Sequence, residues 1–381
     1  MIYQTKKLGE VCSIDYGTRV VRSRNIPGEF YVYGGGGKTF TSNEYNREDC
    51  VIVSRFAMSA YCVRKILGKF FLNDSGLSVS TKDQKVLLQD FVDKFLFASQ
   101  DQIYDLGRGQ AQRNLHIDEF RNLEIPLPPL SEQKRIVKIL DEKMGKIAEA
   151  KRLREEALVD TGKILSQTLH EIFEAGKKKG WEEKTIGDIA IQIKSGFACG
   201  KQNEVSDGIV HLRTHNISLD GQLNLDKIVK IPKSFVNTNV FTLKKDDLIF
   251  NNTNSVELVG KTILIQEDLP YAFSNHLTRI RFDKKQIIPS WVLYVFQKYW
   301  SDKVFERMCT RWIGQAGINQ TSLAKLKILV PSLSEQQKIV TRLDVLSGKI
   351  KKLKELQNSQ LEDFKKLEKS YLREAFNGEL V

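Results

Sequence analysis

The 381-residue sequence predicts an α+β protein with two related, mainly β domains separated by two long antiparallel helices that form a coiled-coil spacer. Three observations predict this fold class. One segment recurs in the second half of the chain, each copy has a helical heptad pattern, and runs typical of strands precede each copy. The predicted domains are the β modules 1–130 and 181–333 and the helices 131–180 and 334–381.

The composition indicates a globular chain with a polyanionic partner. Hydrophobic residues make up 41% and charged residues 28% of the sequence, which is typical of folded proteins. The formal net charge is +12, and the excess of Lys and Arg is spread over both modules and both helices. This distribution excludes a single basic tail and allows an extended surface along DNA. A generic basic protein is the alternative that charge alone leaves open.

Neither a membrane segment nor a metal site is predicted. No apolar run approaches the roughly 20 residues of a membrane helix, and the start lacks the apolar stretch of a secretory signal, so we expect a cytoplasmic protein. The five cysteines are widely spread without a Cys-x-x-Cys pair, which indicates neither a disulfide framework nor a zinc site. His211 and His215 lie four residues apart in a strand and loop region, where that spacing implies no shared face.

Two strings imitate nucleotide-binding loops without meeting the pattern. Gly37-Lys38-Thr39 and Gly260-Lys261-Thr262 have Val32 and Ser255 where a phosphate loop needs its first glycine. The Asp/Asn-Pro-Pro-aromatic motif of adenine methylation is also absent from the sequence. We therefore expect no cofactor in this chain, and the sequence does not favour a self-contained enzyme.

The repeated segment predicts the two long helices. PLSEQKRIVKILD at 129–141 matches SLSEQQKIVTRLD at 332–344 without a gap. The second copy continues as a heptad seam, whereas Lys143 and Arg154 interrupt the seam of the first copy. A serine suited to an N-cap begins each copy. The predicted boundary residues are Ser334 with Gln337 as a capping box, and Gly176 and Gly378 near the ends.

Chain order sets the direction of helix pairing. A lone helix of this length would leave its apolar stripe in water, so we expect the two copies to pair. The first helix leaves one module and reaches the other, from which the second helix starts, so close pairing has to be antiparallel. Ordinary bundle helices inside one globular core are the alternative.

The regions before the two helices predict modules with one fold and different interiors. KKLGEV at 6–11 resembles KTIGDI at 184–189, and Gly109-Gln110-Ala111 resembles Gly314-Gln315-Ala316. Between these landmarks, β-branched and aromatic runs alternate with Gly, Asn and Asp turns, followed by one helical stretch in each module. The interiors diverge almost completely, which favours two modules that recognise different things.

This order of segments resembles the specificity subunit of type I restriction-modification systems over nearly the whole chain. The segments that carry the resemblance are IPLPPLSEQ at 125–133, VPSLSEQ at 330–336, GDIAIQIKSG at 187–196, HLRTHNI at 211–217, DDLIFNNTNS at 246–255, FSNHLTRIRF at 273–282 and YGGGG at 33–37. In the last segment, Gly36 departs from the polar residue that is usual there.

The resemblance implies a non-catalytic subunit with two target-recognition domains. Its expected partners are double-stranded DNA, two methylation subunits and a restriction subunit with endonuclease and translocase activity. S-adenosylmethionine, ATP and Mg are then expected in those partner subunits. It also implies a bipartite DNA target whose gap is set by the helical spacer. The alternatives are a coiled-coil scaffold that bridges proteins, or the specificity subunit of a related defence methylation system.

Loop residues with base-reading side chains are the candidate DNA contacts. Arg and Lys suit guanine, Asn and Gln suit adenine, and glycines permit close approach of the backbone to phosphate. The predicted DNA-binding residues are Gly34, Gly35, Gly36, Gly37, Lys38, Arg55, Lys65, Arg213, Asn216, Asn251, Asn252, Asn254, Ser274, Asn275 and His276. Turn chemistry or solvated surface is the alternative for each. The predicted partner contacts, which fit helix capping equally, are Glu132, Gln133, Glu335 and Gln336.

Overall fold

Two helices are much longer than the other elements of the fold. The computed structural model describes residues 3–110, 112–219 and 221–379, so Ala111 of the predicted repeat lies outside the described residues. The first long helix spans Leu130–Lys178 and the second long helix spans Leu333–Asn377.

Contacts divide the chain into two compact units. The first unit comprises Met1–Glu156 with Gln357–Val381, and the second comprises Ala157–Leu356. Each unit therefore combines one α+β domain with one end of each long helix. This composition follows from the chain order, because each long helix begins in one unit and ends in the other.

In its described residues the first unit has two four-stranded sheets, two short strand pairs and four short helices. In spatial order the strands of one sheet are Cys12–Tyr16, Gly76–Thr81, Val51–Ser54 and Val63–Lys65, and those of the other are Gly37–Ser42, Phe30–Gly34, Lys69–Leu72 and Arg47–Glu48. The strand pairs are Thr5–Lys7 with Glu124–Pro126 and Gly107–Arg108 with Asn114–Leu115. The short helices are Leu8–Val11, Gln89–Ala98, Gln100–Asp105 and Ile117–Arg121, with a 3-10 turn at Arg22–Arg24.

In its described residues the second unit has a similar frame, with one more short helix and two more 3-10 turns than the first. In spatial order, the strands of its four-stranded sheet are Ala190–Ser195, Leu277–Phe282, Leu248–Asn251 and Thr262–Leu264. One three-stranded sheet consists of Lys230–Ile231, Ile209–Leu212 and Ala272–Phe273, and the other of Thr253–Asn254, Gln315–Gly317 and Thr310–Trp312. The remaining strand pair is Glu182–Thr185 with Lys327–Val330. Its helices are Ile186–Ile189, Thr238–Phe241, Pro289–Ser301, Val304–Met308 and Gln320–Ala324, with 3-10 turns at Lys201–Asn203, Thr214–Asn216 and Lys233–Phe235.

Both units contain one parallel strand pair in otherwise antiparallel sheets. Phe30–Gly34 runs parallel to Lys69–Leu72, and Ile209–Leu212 runs parallel to Ala272–Phe273. Two strands that run the same way end at the same edge of their sheet. The shared frame confirms the predicted α+β class with two related, mainly β domains.

A central strand in each unit is buried on both faces. In Val51–Ser54, Val51 and Val53 pack into the main core while Ile52 packs into a smaller cluster on the other face. In the second unit, Leu248 and Phe250 face the main core and Ile249 faces the smaller one. A strand covered on both sides has no polar alternation, which explains the continuous apolar runs VIVS and LIFN.

The ends of the long helices complete both cores. In the first unit, Phe376 of the second long helix lies with its ring centroid 5.0 Å from that of Phe91. In the second unit, Phe173 of the first long helix stacks on Trp291 at 5.3 Å. These aromatic contacts fix each helix end to the domain beside it.

The two long helices run antiparallel where they pack together in the first unit. In the first unit, Lys151 Nζ lies 2.6 Å from Glu368 Oε2, and Lys143 Nζ lies 4.1 Å from the centre of the Tyr371 ring. As the number rises along one helix, the number of its contact on the other helix falls. Lys143, predicted as an interruption of the seam, therefore packs its stem and charge against an aromatic ring.

The boundaries of the long helices differ from the serine caps predicted for them. The helices begin at Leu130 and Leu333, so Ser334 lies inside the first turn and does not form the predicted capping box. Ser332 accepts a hydrogen bond from the Glu335 backbone N–H instead, at 3.3 Å. A serine stands at both 332 and 334, and only helix geometry distinguishes them.

The predicted glycine stops are correct for one of the two helices. The second long helix ends at Asn377, and Gly378 follows with φ +76°. In the first long helix, Gly176 is helical, and a Cβ there would lie 2.2 Å from the Trp181 ring. Gly180 takes the left-handed conformation after that helix, with φ +70°.

Candidate nucleic-acid interface

Four segments of the second unit meet at one edge. The segments are the loop after Leu212, the Asn251–Asn254 segment, the Ser274–His276 turn and the hairpin at 310–317. Backbone hydrogen bonds join them: Ser274 N–H to Leu212 O at 2.9 Å, Asn252 N–H to His276 O at 3.1 Å, and Ile318 N–H to Asn252 O at 2.9 Å. The structure thus brings together candidates that lie far apart in the sequence.

The first unit joins its equivalent segments with the same hydrogen bonds. They are Asn73 N–H to Tyr33 O, Arg55 N–H to Ser75 O and Leu115 N–H to Arg55 O, each at 2.8 Å. Arg55 therefore occupies the position of Asn252 in the second unit. The loop Gly34–Gly37 occupies the position of the loop that begins at Arg213.

The equivalence of Arg55 and Asn252 extends to their side chains. Arg55 Nη1 donates to the Asp74 carbonyl at 3.3 Å, and Asn252 Nδ2 donates to the Asn275 carbonyl at 3.2 Å. One frame position thus carries a guanidinium in one unit and an amide in the other. These groups suit guanine and adenine, respectively.

A Cβ would clash at two positions of the glycine run of the first unit and would meet no atom at the other two. A Cβ at Gly35 would lie 1.9 Å from Phe56 O, and one at Gly34 would lie 2.4 Å from Ser75 Oγ. Gly36 and Gly37 have open space around them, and Gly37 has φ +104°. Close packing therefore requires the first two glycines, the positive φ favours glycine at Gly37, and Gly36 is the exposed position of the turn.

Two cations of the first unit lie on aromatic rings beside this loop. Lys38 Nζ is 3.2 Å from the centre of the Tyr31 ring, and the Arg55 guanidinium carbon is 4.4 Å from that of Phe56. Within the described residues, neither cation forms an ion pair with a carboxylate. Their positive charge is therefore available to a polyanion.

Lys65 is not brought to this edge. It pairs with Val51 at the start of the central strand, whereas Arg55 follows the end of that strand. Four residues of extended chain separate those ends by about 13 Å. Lys65 Nζ also forms an ion pair with Asp93 at 2.7 Å.

The loop after Leu212 is organised from inside by buried polar groups. Asn216 is buried; its Oδ1 accepts from Arg213 N–H at 2.8 Å, and its Nδ2 donates to Asn224 O at 2.8 Å. Lys261 Nζ donates to Ile217 O at 2.5 Å, and burial lowers the pKa of this lysine. Arg213 is half-buried and donates to Cys199 O at 2.9 Å.

The other candidates of the second unit differ in exposure. Asn251 and Ser274 are buried, and Asn251 Nδ2 donates to Leu258 O at 3.2 Å. Asn275 is exposed, whereas Asn254 and His276 are half-buried at the same edge. The buried amides shape the loops, and the outer side chains face solvent.

His211 is a buried histidine beside this edge. Its ring centroid lies 4.9 Å from that of Phe197, and neither ring nitrogen has a hydrogen-bond partner among the described groups. Burial, helped by the charge of Arg213, lowers the pKa of His211 from its usual value to about 4. The ring is therefore neutral at pH 7.

The two glutamines of the repeated Leu-Ser-Glu-Gln segments lie inside the units. Gln133 Oε1 accepts from Leu88 N–H at 2.9 Å and its Nε2 donates to Pro128 O at 2.8 Å. Gln336 makes the same bonds to Ile288 N–H and Pro331 O, each at 2.8 Å. Both are fully buried, so the partner contact predicted for them is not available in this structure.

The glutamates of those segments are half-buried and already paired. Glu132 accepts from Arg135, which lowers the pKa of the glutamate, and from the Tyr3 hydroxyl at 3.0 Å. Glu335 accepts from Lys179 Nζ at 2.8 Å and Trp181 Nε1 at 3.1 Å. Each glutamate thus links the start of a long helix to neighbouring residues, and part of its side chain stays exposed to solvent.

Sequence reasoning missed the two hairpins beside the candidate loops. The first spans 107–115 and carries Arg108 and Arg113, and the second spans 310–317 and carries Arg311, Trp312 and Ile313. The repeated Gly-Gln-Ala strings lie in these hairpins, but residue spacing alone does not show whether such a string forms a simple turn or the tip of a hairpin. The part of the chain that the structure describes has no cluster of His, Cys, Asp and Glu fit for a metal. No helix in that part is long and apolar enough to cross a membrane.

Two related domains with equivalent edges and different edge residues define a two-module recognition protein. A family model described as the type I restriction modification DNA specificity domain matches residues 2–157 and 178–363. The chain belongs to this family.

Curated relatives and solved structures agree with that membership. The StySPI specificity subunit of Salmonella potsdam is 26% identical over 314 residues, which are 79% of this chain and 67% of that protein. The EcoKI specificity subunit of Escherichia coli K12 is 25% identical over 323 residues, with the same coverage of 79% and 67%.

Among solved structures, a chain from a study of complex assembly and conformational transition of the type I R-M system has a TM-score of 0.74 at 19% identity. The match covers 99% of this chain and 98% of that one. The HsdS subunit from Thermoanaerobacter tengcongensis has a TM-score of 0.51 at 19% identity, with coverage of 100% and 97%. These likenesses show the fold.

Proposed function

We propose that this chain is the DNA sequence-specificity subunit of a type I restriction-modification complex and reads a split duplex target, one half with each unit. The observation that carries the proposal is the pair of equivalent edges. The same four segments meet on the same frame in both units, but the exposed side chains differ. A shared frame with different readers fits two half-sites of unrelated sequence.

The proposed partners are two methylation subunits and a restriction subunit, which act with the chain on DNA in the cytoplasm. The helix-start surface around Glu132 recurs around Glu335, and two equivalent surfaces suit two copies of one partner. Adenine methylation and cleavage then belong to the partners, which bind S-adenosylmethionine, ATP and Mg. Our proposal gives this chain the recognition role and no catalytic step.

The test is methylation directed by the intact complex. The full chain is co-expressed with its candidate methylation subunit, and methylated adenines are mapped across a host genome by single-molecule sequencing. We expect one split motif with a fixed gap. A stable complex that leaves the genome unmethylated would favour a protein-bridging scaffold, and failure to bind a methylation subunit would contradict the proposal.

A further inference from the structure

The second hairpin has a fully exposed apolar tip. Strands Thr310–Trp312 and Gln315–Gly317 are joined by Ile313 and Gly314, and Gly314 has φ +74° at the turn. Ile313 is 102% exposed and Trp312 is 51% exposed. The first hairpin differs, since its described tip residues Gly109, Gln110 and Gln112 carry no apolar side chain.

The tip is braced and lies beside the candidate interface. Strand Gln315–Gly317 pairs with Thr253–Asn254, which directly follows Asn252. A Cβ at Gly317 would lie 2.9 Å from the Trp312 ring, so the indole packs on the backbone of the opposite strand. The ring therefore packs beside Ile313 at the end of a short hairpin whose second strand pairs with Thr253–Asn254.

The chain around the tip is cationic. Residues 303–311 contain three cationic side chains, Lys303, Arg307 and Arg311, and one carboxylate, that of Glu306. Glu306 lies 3.8 Å from Lys303 Nζ and 3.9 Å from Arg311 Nη2. Among the described residues, Arg307 has no carboxylate partner and donates to Asp302 O at 2.8 Å. An exposed apolar side chain close to several cations suits duplex DNA, which has charged phosphates outside and stacked bases inside.

We propose that Ile313, supported by Trp312, inserts between neighbouring base pairs of the half-site held by the second unit. This inference rests on the proposed function. Apolar wedges of this kind unstack one base step and bend the duplex, while nearby cations meet the phosphates. The described tip residues of the first hairpin carry no apolar side chain, which predicts that the other half-site stays stacked.

The experiment uses the full chain assembled with its methylation subunit and a duplex of the mapped target. 2-Aminopurine, whose fluorescence is quenched by stacking, replaces single bases along the second half-site. We expect the wild-type complex to raise the fluorescence at one step that does not contain the methylated adenine. Ile313→Ser loses this rise, and Leu67→Ser, the control at another exposed turn, keeps it.

Affinity gives the second readout. A duplex with an abasic site at that step removes the cost of unstacking, so we expect the wild-type complex to bind it about tenfold more tightly than intact DNA. Ile313→Ser should show no such preference. Because Ile313 has no buried surface, its replacement should leave the melting temperature unchanged.

Three results would contradict the proposal that Ile313 inserts between base pairs. One is an unchanged fluorescence pattern in Ile313→Ser, and another is an unchanged preference for the abasic duplex. The third is loss of assembly with the methylation subunit in Ile313→Ser, which would make the tip a protein contact. If the wild-type complex binds no split DNA at all, the proposed function fails as well, so the two failures are distinguishable.

Discussion

At the scale of single residues, the candidate interface combines amides that hold the loops from inside with cations that form no ion pair within the described part of the chain. Asn216 and Asn251 are of the first kind, and Lys38 and Arg55 are of the second. The sequence identified these loops as polar but could not separate the two kinds. Asn is favoured both in turns and at base edges, so only burial distinguishes the roles.

The charge of Lys38 gives a prediction about salt. Lys38→Ala should weaken DNA binding of the assembled complex for every sequence and reduce the salt slope by about 1, because one phosphate contact is lost. Binding is measured by fluorescence anisotropy over a series of salt concentrations. Lys85→Ala removes an exposed lysine that follows the Thr81 end of the strand Gly76–Thr81, opposite the end beside Arg55, and should leave the slope unchanged. Equal effects of the two substitutions would contradict the placement of the interface.

The glycine run gives a prediction about stability. Gly35→Ala should lower the melting temperature by several degrees, since its Cβ would lie 1.9 Å from a backbone oxygen. Gly36→Ala is the matched control, with open space at the neighbouring position. Differential scanning fluorimetry compares the two. A loss in Gly36→Ala as large as in Gly35→Ala would show that the loop packs differently.

His211 gives a prediction about pH. Its pKa is lowered in the folded state to about 4 from an unfolded value near 6.5, so the unfolded chain binds the extra proton between these values. Stability of the second unit should therefore fall as the pH drops through this window, by up to about 3 kcal/mol. His211→Phe keeps a ring against Phe197 and should weaken the dependence of the melting temperature on pH between pH 6.5 and pH 4. An unchanged pH dependence in that variant would contradict the burial of a neutral ring.

At the scale of elements, sequence periodicity predicted the long helices but did not predict which strands pair with each other across the chain. The heptad seam and chain order indicated two long antiparallel helices, and both are present. The parallel pairs, such as Phe30–Gly34 with Lys69–Leu72, were not predicted because a period of two identifies strand faces and not strand partners. The serine caps were wrong because each helix begins one residue before the predicted serine, and at the second start Ser332 and Ser334 both stand near the boundary.

The buried glutamines link a helix start to its domain. Gln336→Leu leaves the Ile288 N–H and two backbone carbonyls without their partner, which should lower the free energy of unfolding by about 2–4 kcal/mol. The measurement is chemical denaturation followed by the fluorescence of the tryptophans. Gln337→Leu, at an exposed neighbour, should cost less than about 0.5 kcal/mol. Similar losses in both variants would contradict the structural role of Gln336.

At the scale of the whole molecule, the internal repeat determines both fold and function. Each unit completes its core with one end of each long helix; the first unit joins two separate stretches of the chain, whereas the second is one contiguous stretch. The repeat predicted two related modules from the sequence, since matched landmarks frame unmatched interiors. The candidate base-reading residues were less predictable because they lie in those interiors, where one frame position carries Arg55 in one unit and Asn252 in the other.

The most direct measurement is half-site discrimination by the assembled complex. Arg55→Ala and Asn275→Ala are each tested against duplexes with single base-pair changes in either half of the mapped target. We expect a wrong base pair to cost the wild-type complex about 1–3 kcal/mol. Arg55→Ala should lose discrimination in one half only, and Asn275→Ala in the other half only. Loss in the same half for both variants, or in neither half, would contradict a target read by two separate units.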